Sequence, residues 1–524
     1  MSATLTFKAG KATEPPKSAD VVIIGSGAGG GTLAFALRNL GAHVVILERG
    51  QFIPREFENW DANSIFIENR YKTNEQWLDS KGRRYHPGTQ YCVGGNTKVY
   101  GAALTRFRVR DFETTEHADG ESPAWPVNYV DFEPYYSAAE DLYLVHGSTN
   151  EDKTDPPRSK AFPFEAVKDE PVIARLRERL LVAGYAAAHI PLGIDRRDGG
   201  TCIRCNTCDG FPCLIDAKAD TDVRCVRPAI ANDVQLFTGC YVVRILTSPD
   251  GKTATEIEYE LNGETRRIAA GTVFLSAGAV NSAALLLRSQ SSVHPNGLAN
   301  RSGQVGRNYM VHNNTVLVAF GFARNTSRFQ KTLYINDFYD KGNTRHPFPL
   351  GHIQLIGKTQ AAMLRGQAKR VPTPVLAAVA ARSTDWWLFT EDLPAPENRV
   401  TSHGMQIQIT WKPNNVKAHK ELVREAKKML RRAGYPFVVG KRMGIEVNSH
   451  QAGTVRMGKD PSTSVLDVSC RSHDVENLYV VDSSFFPSLP PMNPALTIAA
   501  NALRVADQFM HACDSSYKSL SILA

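Results

Sequence analysis

The chain has 524 residues, of which 42% are apolar and 22% are charged, with 39 glycines and 29 prolines. This is the composition of a globular protein long enough for more than one core, and it excludes a collagen-like fibre, a disulfide-rich miniprotein and a disordered tail. The net charge of +8 is mild for a chain of this size, so we expect no nucleic-acid partner.

The amino-terminal segment, residues 1–17, is polar and lacks the apolar core of a secretory signal. The apolar stretch that follows is interrupted by Arg38, Asn39 and His43, which is not typical of a membrane span. The nine cysteines are unevenly spread, which favours a reducing compartment over a secreted scaffold. We therefore predict a cytoplasmic protein with no membrane span.

Residues 20–48 predict a βαβ unit. A β-branched strand beginning at Asp20 runs into a glycine turn, and the helix that follows is expected to end at Gly41. A second buried strand, residues 44–47, ends at Glu48. The unit is typical of a nucleotide-binding sheet.

The turn of this unit carries the fingerprint Gly25-x-Gly27-x-x-Gly30. The first glycine allows the turn, the second lets a pyrophosphate approach the backbone, and the third lets the helix pack on the strand. Glu48 stands close to the spacing of about 20 residues at which a carboxylate accepts hydrogen bonds from a ribose. A single fingerprint disfavours reductases that carry one for each of two dinucleotides.

Later segments predict more of this sheet and a second, sheet-based domain. Residues 352–356 and 405–410 alternate apolar with polar side chains, which is typical of half-buried strands. Further strands are predicted at 234–237, 242–246 and 272–275, and helices at 172–183 and 416–433.

Several blocks in order along the chain resemble the glucose-methanol-choline oxidoreductase family, whose members oxidise alcohols with FAD. The carboxyl-terminal blocks are His450-Gln-Ala-Gly-Thr-Val-Arg-Met-Gly, residues 477–487, and Met492-Asn-Pro-Ala-Leu-Thr-Ile-Ala-Ala. The others are the fingerprint and residues 93–97, 277–282 and 305–308.

The resemblance implies an α/β fold with a Rossmann-like FAD-binding domain and a substrate domain of mainly antiparallel sheet and helices. It assigns residues 18–50, 85–110, 200–310 and 446–524 to the discontinuous FAD-binding domain. Residues 51–84, 111–199 and 311–445 would form the substrate domain and connecting segments, and residues 1–17 a polar tail.

By this resemblance, His450 occupies the general-base position and Asn493 that of its catalytic partner. An alcohol loses hydride readily only if its hydroxyl proton is also removed, and a neutral imidazole suits that task. A satisfied core histidine is the alternative for His450. Asn493 also suits the N-cap of a helix with Pro494 in its first turn, so two roles compete for one side chain.

The resemblance also implies a set of FAD-binding positions. Asp482 follows a buried strand where the family has an acid near the cofactor, with an exposed turn acid as the alternative. The full set is Gly25, Gly27, Gly30, Glu48, Gly94, Gly95, Asn96, Thr97, Val242, Ala277, Gly278, Asp482, Pro494 and Thr497.

Residues 93–107 most resemble the pyranose-oxidase and sugar-dehydrogenase branch of the family. Fungal pyranose oxidases carry a histidine that bonds covalently to FAD, and this chain has Val99 at that position. We therefore expect FAD to be bound without a covalent link.

Cys202, Cys205, Cys208 and Cys213 resemble the cysteine spacing of bacterial ferredoxins, and some sugar-dehydrogenase relatives carry an iron–sulfur cluster near here. The last interval differs, because the ferredoxin pattern has three residues before its final cysteine and a proline after it. A zinc knuckle, a metal-free loop and a disulfide between neighbours are alternatives. The iron–sulfur cluster is the leading hypothesis for a metal at this site.

The substrate hypothesis depends on Gln354, Trp386 and Gln408, since polar side chains with an aromatic platform suit a sugar. A core tryptophan and solvent-facing glutamines are the alternative. We predict FAD-dependent oxidation of an alcohol, favouring a sugar or glycoside hydroxyl, to the carbonyl. Oxygen or a carrier would accept the electrons, and the oligomeric state is left open.

Three other functions are compatible with the sequence. The first is a dehydrogenase of a non-sugar alcohol such as choline or an aliphatic alcohol. The second is a flavin and iron–sulfur protein that only transfers electrons. The third is an inactive structural homologue, which the intact fingerprint and His450 disfavour.

Overall fold

The computed structural model of the chain describes residues 14–340, 346–447 and 449–513. Residues 1–13 of the predicted tail and residues 514–524 of the last predicted FAD-binding segment lie outside this description. The described helices are α1 (Ala28–Leu37), α2 (Ala62–Phe66), α3 (Tyr129–Leu142), α4 (Pro171–Val182), α5 (Arg227–Ile230), α6 (Ala279–Arg288), α7 (Ala361–Gln367), α8 (Thr373–Ala380), α9 (Val416–Arg432) and α10 (Ala495–Cys513).

The described strands are numbered in the same way. They are β1 (Ser18–Ile24), β2 (Val44–Glu48), β3 (Trp77–Leu78), β4 (Arg84–Tyr85), β5 (Thr115–His117), β6 (Gly120–Ser122), β7 (Val145–Gly147), β8 (Phe164–Glu165), β9 (Ala187–His189), β10 (Leu192–Gly193), β11 (Gln235–Thr238), β12 (Tyr241–Thr247), β13 (Ala254–Leu261), β14 (Glu264–Leu275), β15 (Met310–Val311), β16 (Asn313–Phe320), β17 (Leu333–Ile335), β18 (His352–Leu355), β19 (Ser383–Thr390), β20 (Arg399–His403), β21 (Gln406–Thr410), β22 (Phe437–Arg442), β23 (Gln451–Ala452) and β24 (Leu478–Val480).

The largest described sheet has seven strands in the order β11-β2-β1-β14-β13-β12, with β24 also paired to β14. The strands β11, β2, β1, β14 and β24 are parallel, whereas β13 and β12 extend the sheet as an antiparallel meander. Residues 21–24 of β1 are all buried, as expected for a parallel strand with both faces covered. The predicted βαβ unit is confirmed, as is the α/β class.

Helix α1 ends earlier than predicted. The prediction used Gly41 as the stop signal, but the last residue of the helix is Leu37. The N–H of Leu40 donates to the carbonyl of Leu37 at 3.0 Å, so the chain already turns before it reaches Gly41. Gly41 then has a positive φ of 72°, which completes this turn.

Strand β14 connects distant parts of the chain. Its first half, Glu264 to Ala269, pairs with β13, and its second half, Val273 to Leu275, pairs with β24. A strand near the carboxyl terminus is therefore inserted into a sheet made of amino-terminal and middle strands. Helix α10 then packs against α1 and α3 over the same core. Among the described residues, no helix has both the length and the apolarity that crossing a bilayer requires.

The second large sheet has six strands in the order β22-β16-β19-β18-β17-β9. All of its pairings are antiparallel. One face carries apolar residues, including Leu317, Ile353 and Leu388, which pack with residues of α4 and α9 in one hydrophobic core. Helices α4 and α9 confirm the two predicted helices at 172–183 and 416–433. On β18 and β19, the opposite face carries aromatic and polar side chains.

The two segments predicted as half-buried strands of the second domain lie in different sheets. Residues 352–355 form β18 of the six-stranded sheet, and all four are buried. Residues 406–410 form β21, which belongs to a four-stranded sheet in the order β20-β21-β3-β4. Ile407 and Ile409 pack into the core of the seven-stranded sheet. The alternation identified both strands correctly, but it carries no information about which sheet a strand joins.

Candidate active site

Four parallel strands of the seven-stranded sheet end at the same edge. Ile24 is paired with Leu47 and Leu275, and Leu275 with Val480, so β1, β2, β14 and β24 end side by side. Predicted cofactor residues lie at or just beyond these ends, namely Gly25, Glu48, Ala277, Gly278 and Asp482. Ligands of parallel sheets bind outside this carboxyl edge.

The three fingerprint glycines have different surroundings. Gly25 has a φ of 95°, and a methyl group on it would overlap the carbonyl oxygen of Ser276. A methyl group on Gly30 would overlap the carbonyl oxygen of Gly25, because α1 packs directly on the turn. A methyl group on Gly27 would meet no atom within 4 Å. The turn is therefore closed on the side of Gly25 and Gly30 and open at Gly27.

Helix α1 begins beside this open space without a side-chain cap. The first N–H groups of a helix need partners, and the helix dipole favours an anion there. The Oγ atom of Ser276 is buried and finds no hydrogen-bond partner among the described residues. It lies 2.7 Å from the methyl position of Gly29 in the same turn. These unmet donors fit the pyrophosphate of a dinucleotide.

The Glu48 carboxylate lies at the end of β2 and is 5% exposed. Its Oε2 accepts hydrogen bonds from the N–H of Ser26 at 2.9 Å and from the Ser26 hydroxyl at 2.7 Å, and its Oε1 accepts from the N–H of Gly50 at 2.8 Å. Burial raises its pKa. Val242 is buried two residues after Cys240, whose N–H donates to the Glu48 carbonyl at 3.0 Å. Ser26, which sequence reasoning missed, thus orients the acid that was predicted to bind a ribose.

The turn at Gly94 and Gly95 lies directly against the fingerprint. These residues have φ values of 86° and 54°, in the left-handed region that glycine tolerates. The N–H of Gly94 donates to the Ser26 hydroxyl at 3.2 Å. A methyl group on Gly95 would lie 3.2 Å from the Cα atom of Gly27. The structure thus brings together two glycine motifs that are far apart in sequence.

The side chains of Asn96 and Thr97 hold this turn in place. The Asn96 Oδ1 accepts from the N–H of Gln90 at 2.7 Å. The Thr97 hydroxyl donates to the carbonyl of Gly94 at 2.6 Å and accepts from the N–H of Thr221 at 3.0 Å. Both side chains therefore have partners within the protein and hold the turn that approaches Gly27.

A buried ion cluster supports the same turn. Lys98 is 3% exposed, and its Nζ lies 2.9 Å from an oxygen of Asp222 and 3.1 Å from one of Asp220. The two carboxylates raise the pKa of Lys98, which stays charged despite its burial. Sequence reasoning missed these three residues, because nothing in their spacing signals that they meet.

Asp482 ties the end of β24 to the end of β14. Its Oδ2 accepts from the N–H of Gly278 at 3.0 Å and from the Ser282 hydroxyl at 2.5 Å, while its Oδ1 accepts from Ser484. Ser282 also accepts from the N–H of Ala277 at 3.1 Å. Asp482 is 5% exposed, so it is not the exposed turn acid that was its alternative. Its contacts within the described chain hold the Ala277 and Gly278 turn at the carboxyl edge of the sheet.

His450 is partly exposed and lies next to a second, fully buried histidine. The Nδ1 atoms of His450 and His312 are 3.0 Å apart, and the Nε2 of His312 is 2.8 Å from the carbonyl oxygen of Pro490. The pairing of Val311 with Gln451 between β15 and β23 places the two histidines side by side. Burial and the neighbouring His312 lower the pKa of His450 well below its ordinary value. His450 is therefore neutral near pH 7, the state that a general base requires.

Asn493 does not cap the helix that follows it. Helix α10 begins at Ala495, and its first described hydrogen bond runs from Ile498 to the carbonyl of Pro494 at 3.0 Å. The Asn493 Oδ1 is buried and has no hydrogen-bond partner among the described residues. The predicted N-cap role is thus wrong, and the competition between two roles disappears. The Thr497 hydroxyl is fully buried and 2.8 Å from the Tyr136 hydroxyl, so its partner is within the protein.

The second face of the six-stranded sheet meets His450. The Phe389 ring is 5.3 Å from the His450 ring, 5.3 Å from His312 and 5.7 Å from His352, centre to centre. His352 and Phe389 are paired across β18 and β19, as are Gln354 and Trp387. Paired residues of antiparallel strands share a face, so all four side chains line one wall. We call His352, Gln354, Trp387 and Phe389 the chamber wall.

Two predicted substrate residues lie elsewhere. Trp386 is 0% exposed and packs in the apolar core on the opposite face from Trp387, so its assignment to the substrate site is wrong. The sequence has tryptophan at both 386 and 387, and it does not say which of the two faces the apolar core. Gln408 lies on β21, and its Nε2 donates to the carbonyl of Asp79 at 3.3 Å. It joins two strands of the four-stranded sheet and is not part of the chamber wall.

The cysteine cluster does not fit a metal. Cys202, Cys205, Cys208 and Cys213 are free thiols. In the part of the chain that the structure describes, no group of three or more His, Cys, Asp or Glu side chains is arranged to hold a metal ion. Burial raises the pKa of Cys208 to about 12, which disfavours the thiolate that iron and zinc bind. The structure therefore does not support the expected iron–sulfur cluster.

Comparison with known sequences places the chain among oxidoreductases. Residues 20–314 match the N-terminal domain of the GMC oxidoreductases, and residues 394–502 match their C-terminal domain. The chain is 29% identical over 514 residues to 6'''-hydroxyparomomycin C oxidase of Streptomyces lividus, covering 93% of this chain and 90% of that protein. It is 28% identical over 514 residues to paromamine 6'-oxidase of Streptomyces fradiae, with the same coverage of 93% and 90%.

Comparison with solved structures shows the same fold. Pyridoxine 4-oxidase from Mesorbium loti superposes with a TM-score of 0.65 at 18% sequence identity. The match covers 94% of this chain and 99% of that structure. The similarity thus extends over the seven-stranded and six-stranded sheets together.

Proposed function

This chain belongs to the GMC oxidoreductase family, and we propose that it oxidises an alcohol group of a sugar or glycoside to the carbonyl, with His450 as the general base and FAD as cofactor. The observation that carries the proposal is the position of His450. Its ring lies against Phe389 of the chamber wall, while the residue after it accepts a hydrogen bond from Ser483 just beyond the end of β24. His450 therefore lies between the chamber wall and the carboxyl edge of the parallel strands, which supports a role between substrate and cofactor.

The reaction removes a proton and a hydride from one carbinol. The Nε2 of His450 takes the hydroxyl proton, since the Nδ1 is engaged with His312. Asn493 donates a hydrogen bond from its amide to the substrate oxygen as negative charge develops there. Bound FAD supplies the acceptor for the hydride that leaves the carbon. The carbon–oxygen bond thereby becomes a carbonyl, and the enzyme holds the proton on His450.

The residues at the carboxyl edge fit FAD. The uncapped start of α1 and the open space at Gly27 suit its pyrophosphate, and Glu48 stands at the strand end where a carboxylate meets a ribose. The turn at Gly94 and Gly95 lies over the same space. Val99 has no nucleophilic atom, which supports non-covalent binding. Acid precipitation should therefore release the flavin into the supernatant.

The chamber wall supports a sugar over a small aliphatic alcohol. Trp387 and Phe389 offer aromatic faces for the C–H groups of a ring, and Gln354 offers an amide for hydroxyl groups. The buried Nε1 of Trp387 has no hydrogen-bond partner among the described residues, so it is available as a donor. Two similar proteins are named as oxidases of 6'''-hydroxyparomomycin C and of paromamine, and another, 25% identical, is named as the large subunit of fructose dehydrogenase, whose substrate is a sugar.

The finer assignments depend on sequence alone. Residues 93–107 favour the pyranose-oxidase and sugar-dehydrogenase branch, and the cysteine usage favours a cytoplasmic location. Fluorescence of a tagged chain expressed in its source cells would test the location. Oxygen consumption compared with dye reduction would test whether oxygen or a carrier accepts the electrons.

The proposed function is tested by the visible spectrum of the purified protein. We expect a flavin spectrum that bleaches when a panel of sugars and glycosides is added without oxygen. Bleaching only by choline or aliphatic alcohols would reject a sugar substrate and favour a non-sugar alcohol. A flavin that no alcohol bleaches would reject the alcohol oxidation, and a protein without flavin would reject the cofactor.

The base is tested by His450→Ala, with His473→Ala as a control at a histidine that bonds Ser464 away from the chamber wall. We expect His450→Ala to keep its flavin and to slow reduction by substrate at least about a hundredfold. His473→Ala should reduce at the normal rate. Unchanged single-turnover reduction in His450→Ala would reject the assignment of the base.

A further inference from the structure

His312 contacts both His450 and Phe389 of the chamber wall. It is 0% exposed, and its ring stacks on Phe389 at 5.3 Å with an angle of 23° between the planes. Its Nε2 is 2.8 Å from the carbonyl oxygen of Pro490, and its Nδ1 is 3.0 Å from the Nδ1 of His450. The stacking and the hydrogen bonds fix the orientation of this ring.

The two hydrogen bonds determine where the protons lie. A carbonyl oxygen only accepts, so the Nε2 of His312 must carry a hydrogen. Burial lowers the pKa of His312 to about 4, so the ring is neutral and its Nδ1 has a lone pair. The Nδ1 of His450 must then carry the hydrogen that this short contact shares. The Nε2 of His450 is then unprotonated, and its lone pair can accept the proton of the substrate hydroxyl.

We propose that His312 is a positioning residue that fixes the tautomer of His450 by accepting a hydrogen bond at its Nδ1 while donating to the Pro490 carbonyl. The inference deepens the proposed function and rests on His450 being the base. Pro490 lies three residues before Asn493, so the same chain of hydrogen bonds links the base to the segment that carries its partner. Without this acceptor, the hydrogen of His450 can occupy either nitrogen, and the Nε2–H form cannot take a proton.

Two substitutions separate this role from simple packing. His312→Leu retains most of the volume but removes the acceptor, whereas His312→Asn is smaller but keeps an amide oxygen near the position of Nδ1. A packing role predicts that His312→Asn is the more damaged protein, because it leaves the larger cavity. A tautomer role predicts the opposite order.

The test measures the anaerobic reduction of the holoenzyme by the sugar that bleaches its flavin. His312→Leu should keep the flavin spectrum and change KM less than about threefold, while the limiting reduction rate falls at least about tenfold. His312→Asn should recover most of that loss. The rate in His312→Leu should also keep rising with pH, since hydroxide in solution increasingly replaces the impaired base. Equal rates in His312→Leu and the unaltered protein, or a slower His312→Asn, would overturn the proposal.

A second measurement is independent of turnover. In protein labelled with 15N-histidine, we expect His450 to give the pattern of an Nδ1–H, Nε2 lone-pair imidazole, with its signals assigned by their absence in His450→Gln. An Nε2–H pattern would overturn the proposal even if His312→Leu failed to fold. A slow His450→Ala with a normal His312→Leu would reject this inference alone, whereas a normal His450→Ala would reject the proposed base.

Discussion

Trp386 and Trp387 are neighbours in sequence but face opposite sides of β19. Substitution by alanine should therefore lower the stability of the protein at Trp386 and its catalytic efficiency at Trp387. Trp386 is 0% exposed, and its Nε1 donates to the Thr384 hydroxyl at 3.1 Å within the core under α4 and α9. Truncating a buried tryptophan to alanine removes about 3 to 5 kcal/mol of stability, because it leaves a cavity. Trp386→Ala should therefore lower the guanidinium midpoint strongly.

Trp387→Ala removes an aromatic face and one unsatisfied donor from the chamber wall. A stacked ring contact and one hydrogen bond together contribute about 1 to 2 kcal/mol to binding. This corresponds to a fall in kcat/KM for the sugar of about fivefold to thirtyfold. Because the residue is partly exposed, we expect a much smaller shift of the denaturation midpoint than in Trp386→Ala.

The assay pairs chemical denaturation, followed by far-ultraviolet circular dichroism, with steady-state kinetics on the two purified variants. Trp386→Phe serves as the control that retains most of the core volume and should lie close to the unaltered protein. The face assignment would be refuted if Trp386→Ala lost kcat/KM while keeping its midpoint and Trp387→Ala did the reverse.

Three further predictions follow from the site. Gly30→Ala should yield protein without flavin, because the new methyl group overlaps the Gly25 carbonyl oxygen. Gly27→Ala should fold and bind FAD more weakly than the unaltered protein. Equal flavin content in the two variants, measured by absorbance, would contradict this. Gln354→Ala should raise KM for the sugar about tenfold, while Gln408→Ala on the four-stranded sheet should change it less than about twofold, as initial rates would show. The pKa of His450 is depressed by burial and by His312, so the base loses activity only as the pH falls through that lowered value. The acid limb of kcat/KM should lie below the ordinary histidine pKa of about 6.5, and a limb at or above it would count against His450 as a base with a lowered pKa.

Local patterns predicted the elements of the fold well, because strands, helices and the fingerprint turn are encoded over short stretches. The βαβ unit is an example, since its strand, turn and helix follow from adjacent residues. Which sheet β21 joins was not predictable, because strand pairing depends on contacts distant in sequence. The family blocks were recognised from sequence because each is a short run of adjacent residues, and together they span the matched length of the family.

The candidate site was predicted only where a motif marks it. His450 and Asn493 stand in recognisable blocks, but His312 carries no signal of its own, since only the pairing of β15 with β23 brings it to His450. The assignment of Trp386 to the substrate failed because alternation along a strand gives two faces without saying which one is covered by helices. The cysteine spacing suggested a cluster, yet spacing does not fix where the four sulfur atoms point.

The double pairing of β14 has a consequence for synthesis on the ribosome. One edge of its second half is paired by β24, and the Gly278 turn is held by Asp482. Nearly the whole chain must therefore be synthesised before this edge of the sheet is complete. The amino-terminal fingerprint is made first, but the Gly278 turn beside it depends on Asp482. We therefore expect FAD to bind stably only after residue 482 has been made, and a chain truncated before residue 478 to purify without it.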